Sequence, residues 1–273
     1  MPVYDFSGKV AFVTGAAHGQ GRTHAQHYAK HGADVVVTDI GHNVDTVPYD
    51  LGTADELNET AGLVEEAGQE SLAIEMDVRE EAHVEAAVEE ALDEFGRIDF
   101  LANNAGFWPP SDAVEMDEAM WDDVIDTLLK GVWLPSKHVG KHFIDRGDGG
   151  KIVSTSSTAG LVGIPSFGHY VAGKHGVLGL TKTLALELAE YDVNVNAVCP
   201  TAVDTPGNVG LVEAYGEEVF EEIGALSGPL NVLDPGEMLE PDDISEAYMW
   251  LSSDAARYVT GIALPVDAGA TIK

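Results

Sequence analysis

KVAFVTGAAHGQG, from Lys9 to Gly21, decides the fold. Its first half, Lys9–Thr14, is an apolar run closed by glycine, the pattern of a strand buried on both faces. Its second half places Gly15, Gly19 and Gly21 in a G-x-x-x-G-x-G spacing, and a helical stretch, Gly21–Lys30, follows. Glycines let a backbone turn tightly and approach a pyrophosphate. The helix behind them aims free N–H groups and its positive dipole end at the phosphates. The spacing is not the commoner G-x-G-x-x-G, but the physical requirement is the same. A second apolar run, Asp34–Asp39 (DVVVTD), ends in a carboxylate 24 residues after Gly15. There it can accept hydrogen bonds from the adenosine ribose hydroxyls and would repel a 2′-phosphate. No arginine or lysine stands in the glycine loop or directly after Asp39 to bind such a phosphate, so the pattern selects NAD over NADP. Taken singly, a glycine-rich turn and a turn aspartate also have purely structural readings. Together, Gly15, His18, Gly19, Gln20, Gly21 and Asp39 are the candidate nucleotide contacts.

Outward from this unit the rhythm repeats. Ser71–Met76, Ile98–Asn103, Lys151–Ser156, Asn194–Cys199 and Ile262–Val266 read as further strands. Helical stretches lie between them, near 55–67, 80–95, 117–145, 170–190 and 242–252. Such alternation indicates βαβ units. The fold class is therefore α/β: a doubly wound parallel sheet of about seven strands with helices on both faces. Two segments break the rhythm. Ile40–Ala54 is longer than an ordinary strand-to-helix connection, and Thr53 with Glu56 has the spacing of a capping box for the helix that follows. Thr201–Glu240 is rich in glycine and proline, with an acidic stretch (VEAYGEEVFEEIG) that suits a short helix. Long irregular segments of this kind are functional or disordered.

The chain holds 47 acidic residues against 14 basic ones, a formal net charge of −33. Two readings compete: adaptation to molar salt, which screens the repulsion, or an acidic tail. The acids are spread through periodic segments, which favours the salt-adapted reading. The same charge excludes nucleic acid and anionic membrane surfaces as partners. The single cysteine, Cys199, forms no intrachain disulfide and reads as a small core residue. The first residues lack the pattern of a signal peptide, and no apolar run reaches the length of a membrane span. The expectation is a cytoplasmic protein.

The chemistry lies in the second half. Tyr170 and Lys174 stand at i and i+4, on one face of a helix. An ammonium beside a phenol favours the phenolate and lowers its pKa. That suits a general acid/base exchanging a proton with an alcohol near neutral pH. Ser157, 13 residues before Tyr170, ends a strand; its hydroxyl can hold a substrate oxygen or serve as a structural cap.

These residues, in this order, resemble the short-chain dehydrogenase/reductase family over nearly the whole chain. The resemblance rests on TGAAHGQG, Asp77-Val78, Asn103-Asn104-Ala105-Gly106, Ser157, Tyr170, Lys174 and the turn from Pro200 to Thr205. It implies one Rossmann-like domain over 1–273, a homotetramer, and hydride transfer between NAD(H) and a secondary alcohol or its ketone. It implies that Asp77 and Val78 flank the adenine and that Asn103, Asn104, Ala105 and Gly106 line the cofactor. Tyr170 is then the acid/base, Ser157 holds the oxygen, and Lys174 also holds the nicotinamide ribose. Pro200, Val203 and Thr205 contact the carboxamide end. A narrower resemblance, to the carveol-dehydrogenase-like branch often associated with mycofactocin, rests on Asp45–Tyr49, Trp121–Asp126, PTAVDTP and RYVTGIALPVDAG. It implies that 40–54 packs over a tightly bound NAD that is recycled in place, with an external redox carrier, and that 201–240 borders the substrate. The substrate would be a small cyclic or terpenoid alcohol.

One position departs from the pattern. Aligning IDTLLKGVW puts Leu128 where the family usually places an asparagine that joins a proton relay to the lysine. Leucine can neither donate nor accept a hydrogen bond. A second reading therefore stands beside the enzyme: a protein that senses or stores NAD with little turnover. Thr201 also replaces the glycine usual after Pro200. His24, His27 and His31, and His138 with His142, have spacings that can bind metal, but they read as surface helix faces and no metal is assigned. His169 and His175 flank the Tyr170 helix. Phe107 and Trp108 face an apolar substrate, or plug a gap or subunit contact. Met238 and Leu239 are candidates for the same wall.

Overall fold

The computed structural model describes residues 4–219, 231–233 and 235–272. Seven strands form one parallel sheet: β1 (Val10–Thr14), β2 (Asp34–Asp39), β3 (Ser71–Glu75), β4 (Phe100–Asn103), β5 (Gly150–Thr155), β6 (Val193–Pro200) and β7 (Ala263–Val266). Their order across the sheet is β3-β2-β1-β4-β5-β6-β7. The winding reverses between β1 and β4. In open α/β sheets, ligands bind in the crevice beyond the strand ends at this switch.

Successive strand residues point to opposite faces, and the sequence supplies apolar side chains to both. Ala11 and Val13 of β1, Val35 and Val37 of β2, and Phe100 of β4 enter one core. Val10 and Phe12, Val36, and Leu101 enter the other. On the first face lie α1 (Gly19–Lys30), α2 (Ala54–Glu66) and α8 (Pro241–Ser252), with Tyr28, Leu57 and Tyr248 wholly or almost wholly buried. On the second lie α3 (Glu81–Phe95), α5 (Gly131–Arg146) and the end of α6 (Gly168–Glu187). Two further helices, α4 (Glu118–Ile125) and α7 (Pro206–Tyr215), stand near the crevice.

All seven expected strands are present with ends shifted by a residue or two. The capping box forms: the Thr53 hydroxyl accepts from the Glu56 N–H, and the Glu56 carboxylate accepts from the Thr53 N–H. The single helix expected over 117–145 is interrupted. Between α4 and α5 lies a π-helical turn, Asp126–Lys130, a feature frequent at functional sites. The acidic stretch begins inside α7, which Pro206 starts at its first turn and Tyr215 ends; residues 220–230 and 234 lie outside the described residues.

The histidines of α1 are not a surface face. His24 and His27 are buried against α8: His24 Nδ1 lies 2.8 Å from Ser245 Oγ with its ring stacked 4.0 Å from Tyr248, and His27 Nε2 lies 2.7 Å from Asp242. His138 is buried as well, while His31 and His142 are half-buried. The misreading has a simple cause. Helical spacing shows that residues share a face, but not whether another helix covers it. Among the described residues, no helix is long and apolar enough to cross a membrane.

Candidate active site

The glycine loop joins β1 to α1. Gly15 has φ +67°, and a Cβ there would come within 2.6 Å of the Ala105 backbone, so only glycine fits between the loop and the end of β4. Asn104 fastens the two: its Nδ2 donates to the carbonyls of Thr14 (3.3 Å) and Gly15 (3.2 Å), and its N–H donates to Thr14 Oγ1 (3.0 Å). No side chain caps the N-terminus of α1, and no acidic residue stands in its first turn. Its amide end is thus left for an anion.

Asp39 ends β2 beside this loop. Its Oδ2 accepts from the Ala17 N–H (3.0 Å) and its Oδ1 from the Ile40 N–H (2.8 Å). Burial raises the carboxyl pKa, and these backbone bonds oppose the rise. A half-sheltered carboxylate with backbone partners suits hydroxyl donors and has no place for a second anion. At the end of β3, Arg79 bridges Asp77 (2.7 Å) and Asp123 of α4 (2.6 Å). Burial alone would raise the Asp77 carboxyl, but the hydrogen bonds and charge of Arg79 outweigh it and hold it below the usual range.

Beyond β5 the chain turns at Ser157, whose hydroxyl caps a short 3-10 turn by accepting from the Ala159 N–H (3.1 Å). Tyr170 and Lys174 reach the same place from the first turns of α6. Lys174 Nζ lies 5.5 Å from the centre of the Tyr170 ring and donates to the Thr155 carbonyl at 2.6 Å. The Thr155 hydroxyl is in turn 2.6 Å from Tyr248 OH. Burial pushes the Tyr170 phenol up to about 12, opposed by the Ser157 hydroxyl, and pulls the Lys174 ammonium down to about 7. The pair therefore sits in a dry setting that favours both neutral forms. The lowering of the phenol expected from the lysine does not overcome burial in the protein alone.

These groups line one cavity of about 600 Å³. Its wall takes in Gly15, His18, Gly19, Gln20, Asp39, Asp77 and Val78, then Asn104, Ala105 and Gly106, and Ser157, Tyr170, Lys174, Pro200, Val203 and Thr205; the glycine loop meets the last group at Thr205, whose side chain would lie 3.5 Å from a Cβ on Gly19. Of the residues expected to touch the cofactor or the substrate oxygen, Asn103 and Gly21 are absent from the wall. Asn103 is buried beneath it, where its Nδ2 donates to Ser136 Oγ (3.0 Å) and Ser154 Oγ (3.2 Å). Gly21 lies behind the loop, where a Cβ would fall 1.9 Å from the Gly15 carbonyl oxygen, so its part is packing. Met238 and Leu239 also do not line the cavity; Met238 is exposed, and Leu239 pairs by backbone with Ala202 and Asp204. His169 is buried with Nδ1 accepting from the Tyr170 N–H (2.8 Å), whereas His175 is exposed. Cys199 is a buried core residue.

The segment 40–54 forms part of the wall through Ile40, Tyr49, Asp50, Leu51 and Gly52. Val44, Val47 and Tyr49 are buried with Phe107, Val124, Leu128 and Leu211 of α7. Two polar ties hold it: Thr46 Oγ1 donates to Asp123 (2.8 Å), and the Trp108 N–H donates to Tyr49 OH (3.0 Å). Trp108 and Phe167 flank the Tyr170 ring, with ring centres at 5.7 and 6.3 Å, and Val162 and Ile164 extend the apolar wall. Thr127 on the π turn also lines the cavity; its hydroxyl is buried and has no hydrogen-bond partner among the described residues. Sequence reasoning missed Thr127, Thr155, Val162, Ile164 and Phe167. The last three lie between Ser157 and Tyr170 in sequence, and that bracketing was the available signal.

Comparison with known proteins bears on this geometry. The family profile described as enoyl-(acyl carrier protein) reductase matches residues 15–271. The chain is 42% identical to a (−)-trans-carveol dehydrogenase of Rhodococcus erythropolis, across 97% of this chain and 98% of that one. It superposes on a short-chain dehydrogenase from Mycobacterium paratuberculosis bound to NAD with a TM-score of 0.92, at 36% identity over 98% of this chain and 100% of the other. It also superposes on a carveol dehydrogenase from Mycobacterium avium in complex with NAD, with a TM-score of 0.89 at 37% identity over 98% and 99% of the two chains.

Proposed function

The chain belongs to the short-chain dehydrogenase/reductase family, and from that premise we propose that it moves a hydride between NAD(H) and a cyclic secondary alcohol or its ketone. NAD is the cofactor. The observation that carries the substrate side is the convergence of Ser157, Tyr170 and Lys174 on a single cavity whose wall also holds Asp39. The glycine loop and the amide end of α1 hold the pyrophosphate, Asp39 the adenosine ribose, and Asp77 and Val78 the adenine. When bound, NAD supplies the hydride acceptor and, in its oxidised form, a positive charge near the phenol.

Tyr170 takes the proton of the alcohol, and Ser157 holds the alcohol oxygen. Lys174, fixed by the Thr155 carbonyl, favours the phenolate whenever its own nitrogen carries the proton. The apolar side chains of Trp108, Val162, Ile164 and Phe167 around Tyr170 favour a hydrocarbon-rich ring, as in a terpenoid alcohol. The buried packing of 40–54 against Phe107 and Leu211 supports a cofactor that exchanges slowly and is recycled in place by an external redox carrier. The carveol-dehydrogenase-like resemblance supports mycofactocin in that part. The net charge of −33 supports life in high salt. Homotetramer formation and cytoplasmic residence complete the proposal. A pure NAD store has no support in this geometry, because the acid/base set is assembled.

A screen of the purified protein against cyclic and terpenoid alcohols, sugars and enoyl thioesters tests the reading. Oxidation of cyclic alcohols is the expected result. Turnover confined to sugars or to enoyl thioesters would overturn it. Nucleotide released by denaturing the purified protein tests retention: near-stoichiometric NAD after gel filtration is expected, and empty protein that binds NAD reversibly would contradict the slow-exchange part alone.

A further inference from the structure

Behind the acid/base pair, the segment between α4 and α5 presents apolar side chains to α6. Where the α4–α5 segment meets α6, Ile125, Leu128 and Leu129 press against Gly173 and Gly176. A Cβ on Gly173 would fall 3.1 Å from Leu128 Cβ, and one on Gly176 would fall 2.8 Å from Leu129 Cδ2. Leu128 also reaches the loop after β4, where a Cβ on Gly106 would lie 2.7 Å from its Cδ2. Its side chain is fully buried and fills the gap between Gly106 and Gly173, the residue next to Lys174. Lys174 itself is buried. Among the described residues its Nζ has one hydrogen-bond partner, the Thr155 carbonyl, which accepts but cannot pass a proton on. The lowered pKa of this ammonium, caused first by burial, is in keeping with a dry surround.

The proposed oxidation places one proton on Tyr170 for each hydride that leaves the alcohol carbon. That proton must reach water before the next alcohol is oxidised. We propose that Leu128 seals the back of the site, so that the proton on Tyr170 leaves only through the substrate mouth, after the ketone has departed. The inference rests on the dehydrogenase reading above. In it the C–H and O–H bonds of the alcohol break, the hydride goes to NAD, and the proton stays on the tyrosine oxygen. The empty pocket then admits water, which takes the proton. In a site with a polar path behind the lysine, acid would appear in solution together with the hydride transfer. Here the two events are separated by product release.

Thr127, on the same π turn, is the polar group that competes with this account, since its unpartnered hydroxyl also lines the cavity. The close of that turn borders Val78 of the expected adenine site. Gly131, at the close of the turn, meets Val78: a Cβ there would lie 2.6 Å from Val78 Cγ2.

Stopped-flow oxidation of a cyclic alcohol by the NAD-loaded protein, in weak buffer with a pH-indicator dye, separates these possibilities. Nicotinamide absorbance reports hydride transfer and the dye reports acid. In the wild type, acid is expected to lag behind the reduced nicotinamide, and added ketone is expected to lengthen the lag. Leu128→Asn is expected to abolish the lag, and Leu128→Ser serves the same purpose should the asparagine variant not fold. Thr127→Val is expected to leave the lag as it is. Simultaneous appearance of acid and reduced nicotinamide in the wild type overturns the proposal, and a lag that Thr127→Val then introduces would assign the path to Thr127. A lag unchanged in the folded Leu128 variants overturns the role given to Leu128. If no alcohol reduces the bound nicotinamide at all, the dehydrogenase reading itself has failed, and this inference with it.

Discussion

Removing one hydroxyl, in Tyr49→Phe, tests whether the 40–54 segment holds the cofactor in place. Tyr49 is buried, and its OH accepts the Trp108 N–H at 3.0 Å. Its ring packs close to α7, where a Cβ on Gly210 would fall 3.0 Å from Tyr49 Cβ. The substitution keeps the ring and removes only the acceptor. With the segment closed, the Trp108 N–H then has no partner, whereas with the segment lifted it meets water. Leaving a sheltered donor unsatisfied costs about 1–2 kcal/mol. If NAD leaves only when the segment lifts, the barrier to release falls by that amount. Release should then be roughly 5–30-fold faster, since about 1.4 kcal/mol is a factor of ten. The assay loads the protein with labelled NAD, chases with unlabelled NAD, and follows the label retained after gel filtration. A folded Tyr49→Phe protein that releases NAD at the wild-type rate would refute the idea that this contact keeps the segment closed.

Three further outcomes are expected. Lys174 has a pKa lowered from 10.5 to about 7 by burial, so the unfolded chain binds the extra proton between those values. The penalty is therefore full below the folded pKa and fades as pH rises toward the unfolded one. Cofactor-free Lys174→Met should be more stable than the wild type near about pH 6 and lose that advantage by about pH 10; melts showing a pH-independent difference would count against it. Gly21→Ala drives a Cβ into the Gly15 carbonyl oxygen, at 1.9 Å, and should destabilise the fold by about 3 kcal/mol or more, read as a lower denaturation midpoint; an unchanged midpoint would show that the loop can give. Thermal melts in dilute buffer and in molar KCl should differ widely, because a chain of net charge −33 repels itself when unscreened; equal stability would contradict salt adaptation.

The sheet was legible because its strands are buried on both faces, so each reads as an apolar run such as Lys9–Thr14 or Asp34–Asp39. That Ser157, Tyr170 and Lys174 come together was legible because Tyr170 and Lys174 share a helix face and Ser157 follows a strand end. What sequence could not show depended on neighbours distant in the chain. The burial of His24 and His27 is decided by α8, more than two hundred residues away. The hold of Thr155 on Lys174 is a backbone contact, which no side-chain pattern encodes. The π turn at Asp126–Lys130 inserts a register change into what reads as one periodic helix. Gly21 belongs to the fingerprint by spacing, yet it serves the packing beneath the loop rather than the cavity wall.

Mixing the NAD-loaded protein with a cyclic secondary alcohol in a single turnover, in the wild type and in Tyr170→Phe, puts the assignment of the acid/base to its most direct test. Reduced nicotinamide should form in the wild type, and its rate should fall by roughly 10²–10⁴-fold in the variant, the usual contribution of a general acid/base. A Tyr170→Phe protein that keeps its NAD and reduces it at the wild-type rate would contradict the account.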